Sequence, residues 1–97
     1  SLIRSLFLSS SSSLNLKDNR LWDVGGQILA SGLTKNRVLT RLNLGSNRLR
    51  AAATILASAA RSHPSIRWLN LDQNQIPPPQ VPLVRKALEG SQLVVVM

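Results

Sequence analysis

Apolar residues along the chain follow two alternating rhythms. In Leu39 to Leu49, which reads LTRLNLGSNRL, Leu42 and Leu44 alternate with Arg41, Asn43 and Gly45, the period of two that marks a short half-buried strand. Asn47 and Leu49 close the stretch. The pattern stands again at Leu14 to Leu21 (LNLKDNRL) and at Leu69 to Ile76 (LNLDQNQI), with 28 residues from Leu14 to Leu42 and 27 from Leu42 to Leu69. Between these strands the rhythm becomes helical. Val24, Ile28, Leu29 and Leu33 mark one apolar face, with Asp23 placed to cap the helix, Gly25 and Gly26 opening it, and Gly32 and Asn36 helping to end it. Ala51 to Arg61 is the second helix, with Ala52, Ile55, Leu56, Ala59 and Ala60 as its inner face and Pro64 as its stop. In the third interval Pro77, Pro78, Pro79 and Pro82 delay the helix to about Val81 or Pro82. Leu83, Val84, Ala87 and Leu88 give its face, and Gly90 ends it. Leu93 to Met97 begins a fourth parallel strand.

Three motifs at one period predict repeated strand–helix units at residues 14–38, 39–65 and 66–92, with 93–97 opening a further strand. The pattern Leu-x-x-Leu-x-Leu-x-x-Asn-x-Leu resembles the leucine-rich repeat in its longer, ribonuclease-inhibitor-like form. That family includes ribonuclease inhibitor, the Ran GTPase-activating proteins and the recognition regions of NOD-like receptors. The resemblance covers roughly residues 11 to 97. It implies an α/β fold: a curved solenoid with a parallel sheet on the concave side and helices on the convex side, about three repeats plus partial flanking units. The second helix departs from the family in having alanine where the first has glycine. Residues 1–13, SLIRSLFLSSSSS, stay open between a broken repeat, a serine linker and a targeting segment, since Ser11 stands where Leu39 and Ile66 stand later. Both chain ends look uncapped, which suggests a piece of a longer array.

Stacked units place Leu14, Leu42 and Leu69 in one inner row and Leu16, Leu44 and Leu71 in the next. The asparagines Asn19, Asn47 and Asn74 form a structural ladder, and the resemblance implies that their amides bond the backbone of the neighbouring turn. Outward positions fall in columns: Ser13, Arg41 and Trp68; Asn15, Asn43 and Asn70; Lys17, Gly45 and Asp72. In the family such a concave face is a frequent partner-binding surface. Trp68 and Arg41 are the residue types enriched at interface anchors, and Asn43, Asn70, Lys17 and Asp72 complete the candidate surface. Trp22 is expected to cover the strand-to-helix corner. Arg20, Arg48 and Arg50 form a basic rim after the asparagines, readable as a binding ridge or as a solvated edge.

Charge narrows the partners. Among 97 residues, 12 are Lys or Arg and 4 are Asp or Glu, a formal net charge of +8 that favours acidic partners. There is no cysteine, so disulfides and cysteine-based zinc sites are excluded, which fits an intracellular, cytoplasmic setting. No apolar run approaches the roughly 18 residues of a membrane span. No cofactor or metal ligand set is expected. His63 belongs to a His-Pro turn, and the carboxylates Asp18, Asp23, Asp72 and Glu89 give no acid/base pair. The expected function is therefore a non-catalytic scaffold that binds a protein partner, acidic in character, through the concave face. The alternative is a structural subunit of a larger, RNA-containing assembly held by its basic surface, although two Trp, one Phe and no Tyr make a poor single-strand stacking platform.

Overall fold

Leu42 sits at the centre of a three-residue strand, and the residues on either side of it face the other way. The computed structural model describes residues 13–97, so the alternatives for residues 1–13 lie outside the described part except at Ser13, which opens the first strand. In chain order the elements are β1 (Ser13–Asn15), α1 (Trp22–Leu33), β2 (Arg41–Asn43), α2 (Ala52–Ser62), β3 (Trp68–Asn70), a short 3-10 turn (Pro78–Gln80), α3 (Val81–Ala87) and β4 (Val94–Val96). Among the described residues the fold is α/β: four parallel strands in the order β1-β2-β3-β4, with a helix in each of the three connections. Register follows the sequence period. Leu14 pairs with Leu42, Leu42 with Leu69 and Leu69 with Val95, offsets of 28, 27 and 26 residues.

One face of the sheet carries the core. Leu16, Leu42, Leu44, Leu69 and Leu71 are buried together with Leu29, Leu33, Leu39, Leu49, Leu56 and Val84. Leu14, on the edge strand, is only half-buried. The buried stripe of the helices keeps Leu29, Leu33, Ala52, Leu56 and Ala60 of the expected faces and is otherwise displaced from them. In α1 it runs through Gly26, Leu29, Ala30, Gly32 and Leu33, and in α2 through Ala52, Ala53, Leu56, Ala57 and Ala60. Val24, Ile28, Ile55 and Leu83, all expected inside, are 67, 49, 46 and 48% exposed. The reason is steric. Small residues on the inner stripe let neighbouring helices approach closely, and a reading that follows the largest apolar side chains misses this. Gly26 shows how close: a Cβ there would lie 2.8 Å from Leu49 Cδ2 and 2.9 Å from the Ala52 Cβ.

Helix ends bring two more corrections. Gly25 and Gly26 do not open α1 but lie inside it, because the helix begins at Trp22. Asp23 does not cap its own helix. Its Oδ2 accepts the N–H of Ala52, 3.1 Å away at the start of α2. That helix begins at alanine with no side-chain cap of its own, so the carboxylate of the preceding unit satisfies one of its orphan donors and faces its positive end. The prolines behave as expected: the 3-10 turn Pro78–Gln80 comes first and α3 starts at Val81. Among the described residues, no helix is long and apolar enough to cross a membrane.

Two stability measurements follow. Leu44→Ala empties a fully enclosed position and is expected to cost about 2–5 kcal/mol in urea unfolding, whereas Ile55→Ala, on the outer side of α2, should stay within about 0.5 kcal/mol. Equal losses would contradict the displaced stripe. Gly26→Ala, despite the better helix propensity of alanine, should destabilise by about 1–3 kcal/mol through overpacking against Leu49 and Ala52; a gain in stability would show that the two helices can separate freely.

Candidate functional site

The helix-free face of the sheet is built from the alternate strand positions, and register brings its columns together. Ser13, Arg41, Trp68 and Val94 are cross-strand partners in one row, and Asn15, Asn43, Asn70 and Val96 in the next. Arg41 and Trp68 meet directly. The guanidinium carbon of Arg41 lies 4.3 Å from the centroid of the Trp68 ring, inside the range of a cation–π contact. Trp68 is half-buried and Arg41 is exposed. A shallow cleft of about 200 Å³ lies here, lined by Ser13, Leu14, Asn15, Arg41, Asn43 and Trp68.

The asparagines beside this pair have work within the fold. The Oδ1 atoms of Asn15, Asn43 and Asn70 accept the backbone N–H two residues on, from Lys17, Gly45 and Asp72, at 3.0, 3.0 and 2.9 Å. These Asx turns end each strand after three residues. Asn70 Nδ2 also donates to Asn43 Oδ1 at 3.0 Å. Gly45 makes room for that pair, since a Cβ there would stand 3.1 Å from Asn70 Nδ2. In the third column Lys17 is exposed, Gly45 buried and Asp72 half-buried.

The ladder asparagines lie behind this surface, in the turns. Asn47 Nδ2 donates to the carbonyls of Leu16, Leu44 and Gly45 at 2.8, 3.0 and 3.1 Å, while its Oδ1 accepts the N–H of Asn19 at 2.8 Å. Asn74 repeats the set one unit later, donating to Leu44, Leu71 and Asp72 and accepting from the N–H of Asn47. Asn19 bonds the carbonyls of Leu16 and Lys17 in its own turn.

Arg20, Arg48 and Arg50 stand on the outside of these turns, all exposed. Each has left-handed backbone, with φ of 49°, 55° and 53°. Arg48 reaches back to the preceding unit, its guanidinium carbon 4.9 Å from the Trp22 ring centroid. Trp22 is 43% exposed at the start of α1, so it is a platform for this arginine as well as a corner residue. The sequence carries no local sign of the stacking, because the two residues are joined only by the register of neighbouring units.

The titratable groups considered for catalysis are dispersed: Asp18 in the turn after β1, Asp72 in the turn after β3, and His63 in the loop after α2. Among the described residues no three His, Asp or Glu side chains are grouped to hold a metal ion. His63 is more than a surface turn residue. It is 7% exposed, and its Nδ1 accepts the backbone N–H groups of Ser65 and Ile66 at 3.1 and 3.2 Å. Burial pushes the imidazole below its ordinary value; the Asn36 backbone pulls it part of the way back, and Arg37 adds to the lowering. No protein-family model matches the chain, and no curated protein matches it in sequence.

A pH dependence follows from His63. Because the folded state holds the ring neutral and its pKa low, the unfolded chain takes up the proton first, near pH 6.5. The contribution to stability is complete above about pH 6.5 and is lost as pH falls from there through the folded value. The urea midpoint should therefore drop as pH falls below about 6.5, and His63→Gln should flatten that part of the profile. A profile identical in the two proteins would show that His63 has no part in it.

Proposed function

We propose that the chain is a leucine-rich-repeat array that works as a non-catalytic scaffold, holding an acidic protein partner on the open face of its sheet. Three features support the repeat reading. Strand pairing matches the sequence period, each unit supplies one strand and one helix, and the buried asparagines link successive turns. Helices are roughly 10 Å across while strands lie 4.7–4.9 Å apart. A stack of such units bends with its strands inside, which makes the open face concave.

The observation that carries the binding proposal is the stack of Arg41 on Trp68 in the sheet-face cleft. An arginine laid on an aromatic ring has already given up part of its rotamer freedom, so less is lost when it meets a carboxylate. Around it Asn43 and Asn70 are tied into Asx turns and act as a rigid border. Lys17 and Asp72 mark the far edge of the surface, and Arg20, Arg48 and Arg50 add long-range attraction. The formal charge of +8 favours one further reading, that of a structural subunit in an RNA-containing assembly. Without cysteine, the chain suits the reducing interior of a cell.

Partner capture from lysate, followed by kinetics with the purified partner, tests this proposal. Trp68→Ala and Arg41→Ala should each weaken binding by about 1–2 kcal/mol or more, chiefly through faster dissociation. The double variant Arg20→Ala/Arg48→Ala should slow association and leave dissociation nearly unchanged. Loss of the partner only in the rim variant would move the contact from the sheet face to the basic turns, and unfolding of the Trp68 variant would remove the sheet-face site.

A further inference from the structure

The turns after β1, β2 and β3 form a second surface, distinct from the sheet face. On either side of each ladder asparagine the backbone is left-handed: at Asp18 and Arg20, at Ser46 and Arg48, and at Gln73 and Gln75, with φ from 49° to 61°. These six residues line one groove. Hydrogen bonds between successive turns hold it in shape. The N–H of Asp18 donates to the Gly45 carbonyl at 3.0 Å, and that of Ser46 to the Asp72 carbonyl at 2.9 Å.

The chemistry of the lining is ordered along the stack. The first two units supply Arg20 and Arg48, and the third supplies Gln73 and Gln75. Arg48 is held over the Trp22 ring, and a stacked guanidinium keeps its N–H edge for a bidentate contact with an anion. Acceptors are interleaved with these donors: the Asp18 carboxylate, the Ser46 hydroxyl and the carbonyl oxygens of the two glutamines. A phosphodiester strand presents its negative oxygens continuously and would meet Asp18 unfavourably. A polypeptide offers N–H donors and carbonyl acceptors in alternation, with carboxylates only where its sequence puts them.

We propose that this groove binds an extended acidic peptide laid across the successive turns. A carboxylate is forked by Arg48 and Arg20, and the peptide main chain is hydrogen-bonded by Gln73, Gln75 and Ser46. Trp22 is a positioning residue that acts through Arg48. The site stands apart from Arg41 and Trp68, and it holds whether or not the sheet face binds a partner.

The test is fluorescence anisotropy on the 97-residue chain with a short labelled serine peptide carrying one pair of glutamates at its centre. Its comparators are the same peptide with glutamine for glutamate and an oligouridylate of equal charge. The acidic peptide should bind more tightly than either. Arg48→Gln and Arg20→Gln should each weaken it by about tenfold or more. Arg48→Lys, which keeps the charge without the fork, should also weaken it. Trp22→Leu should lower affinity several-fold, with Trp22→Phe restoring it, and Trp68→Ala should leave it unchanged. Where a variant fails to fold, amide chemical shifts of the unmodified chain give the answer, with peptide-induced changes at Ser46, Arg48, Gln73 and Gln75. Tighter binding of the oligouridylate, unaltered binding by the arginine variants, or shifts centred on Arg41 and Trp68 would each overturn the proposal.

Discussion

A strand of three residues and the turn that follows it leave more backbone donors and acceptors than one unit can pair by itself. The side-chain amide of Asn47 resolves this by working in two turns at once, bonding the Leu16 carbonyl of the preceding unit and the Leu44 and Gly45 carbonyls of its own. Each such bond contributes only about 0.5–1.5 kcal/mol, but leaving its buried partners unpaired costs about 1–3 kcal/mol apiece. The turns are therefore locked one on the next, and the strand register follows from that lock. Leu42 faces Leu14 and Leu69 because Asn47 is bonded to Asn19 on one side and to Asn74 on the other.

The lock has a conformational consequence. Around the ladder asparagines the chain bends through left-handed backbone at Asp18, Arg20 and Trp22, and again at Ser46, Arg48 and Arg50. Each of these costs on the order of 1 kcal/mol or more for a residue with a Cβ. At the third position of the set the N–H is used as well: Trp22 donates to the Asn47 carbonyl and Arg50 to the Asn74 carbonyl, both at 2.9 Å. In the third unit that position is Pro77, with φ of −58°. Its ring forbids the left-handed region and it has no N–H to give. The corner is rebuilt through the 3-10 turn, and α3 is left with 7 residues where α1 has 12 and α2 has 11.

The extent to which the sequence was legible follows from which constraints are local. Period-two alternation around Leu42 and its two copies marks β1, β2 and β3, and their register follows from the 28- and 27-residue spacings, while β4 pairs at an offset of 26. Outward columns came with it, so Arg41 and Trp68 could be placed side by side from sequence alone. Helix faces were less legible. Val24, Ile28 and Ile55 look like core residues by size, whereas the close approach of α1 to α2 is set by Gly26, which carries no hydrophobic signal, against Ala52. Asp23 stands at the expected corner but serves the next helix, and its local sequence gives no sign of this because its partner Ala52 lies 29 residues on. The left-handed turns were hidden for a related reason. Arginine, glutamine and tryptophan give no hint of positive φ, and only the stacked turns impose it.

Both tryptophans are met by arginines of the middle unit, in opposite directions along the stack. Arg41 of β2 lies on Trp68 of the following unit, and Arg48, in the turn after β2, lies on Trp22 of the preceding one. A free arginine side chain carries about 2 kcal/mol of rotamer entropy, and stacking removes part of it before any ligand arrives. Neither pair exists within a single unit. Each forms only when neighbouring turns are held in register by the buried asparagines. The placing of both guanidinium groups is thus a property of the paired turns: loosening Asn47 would release the two together.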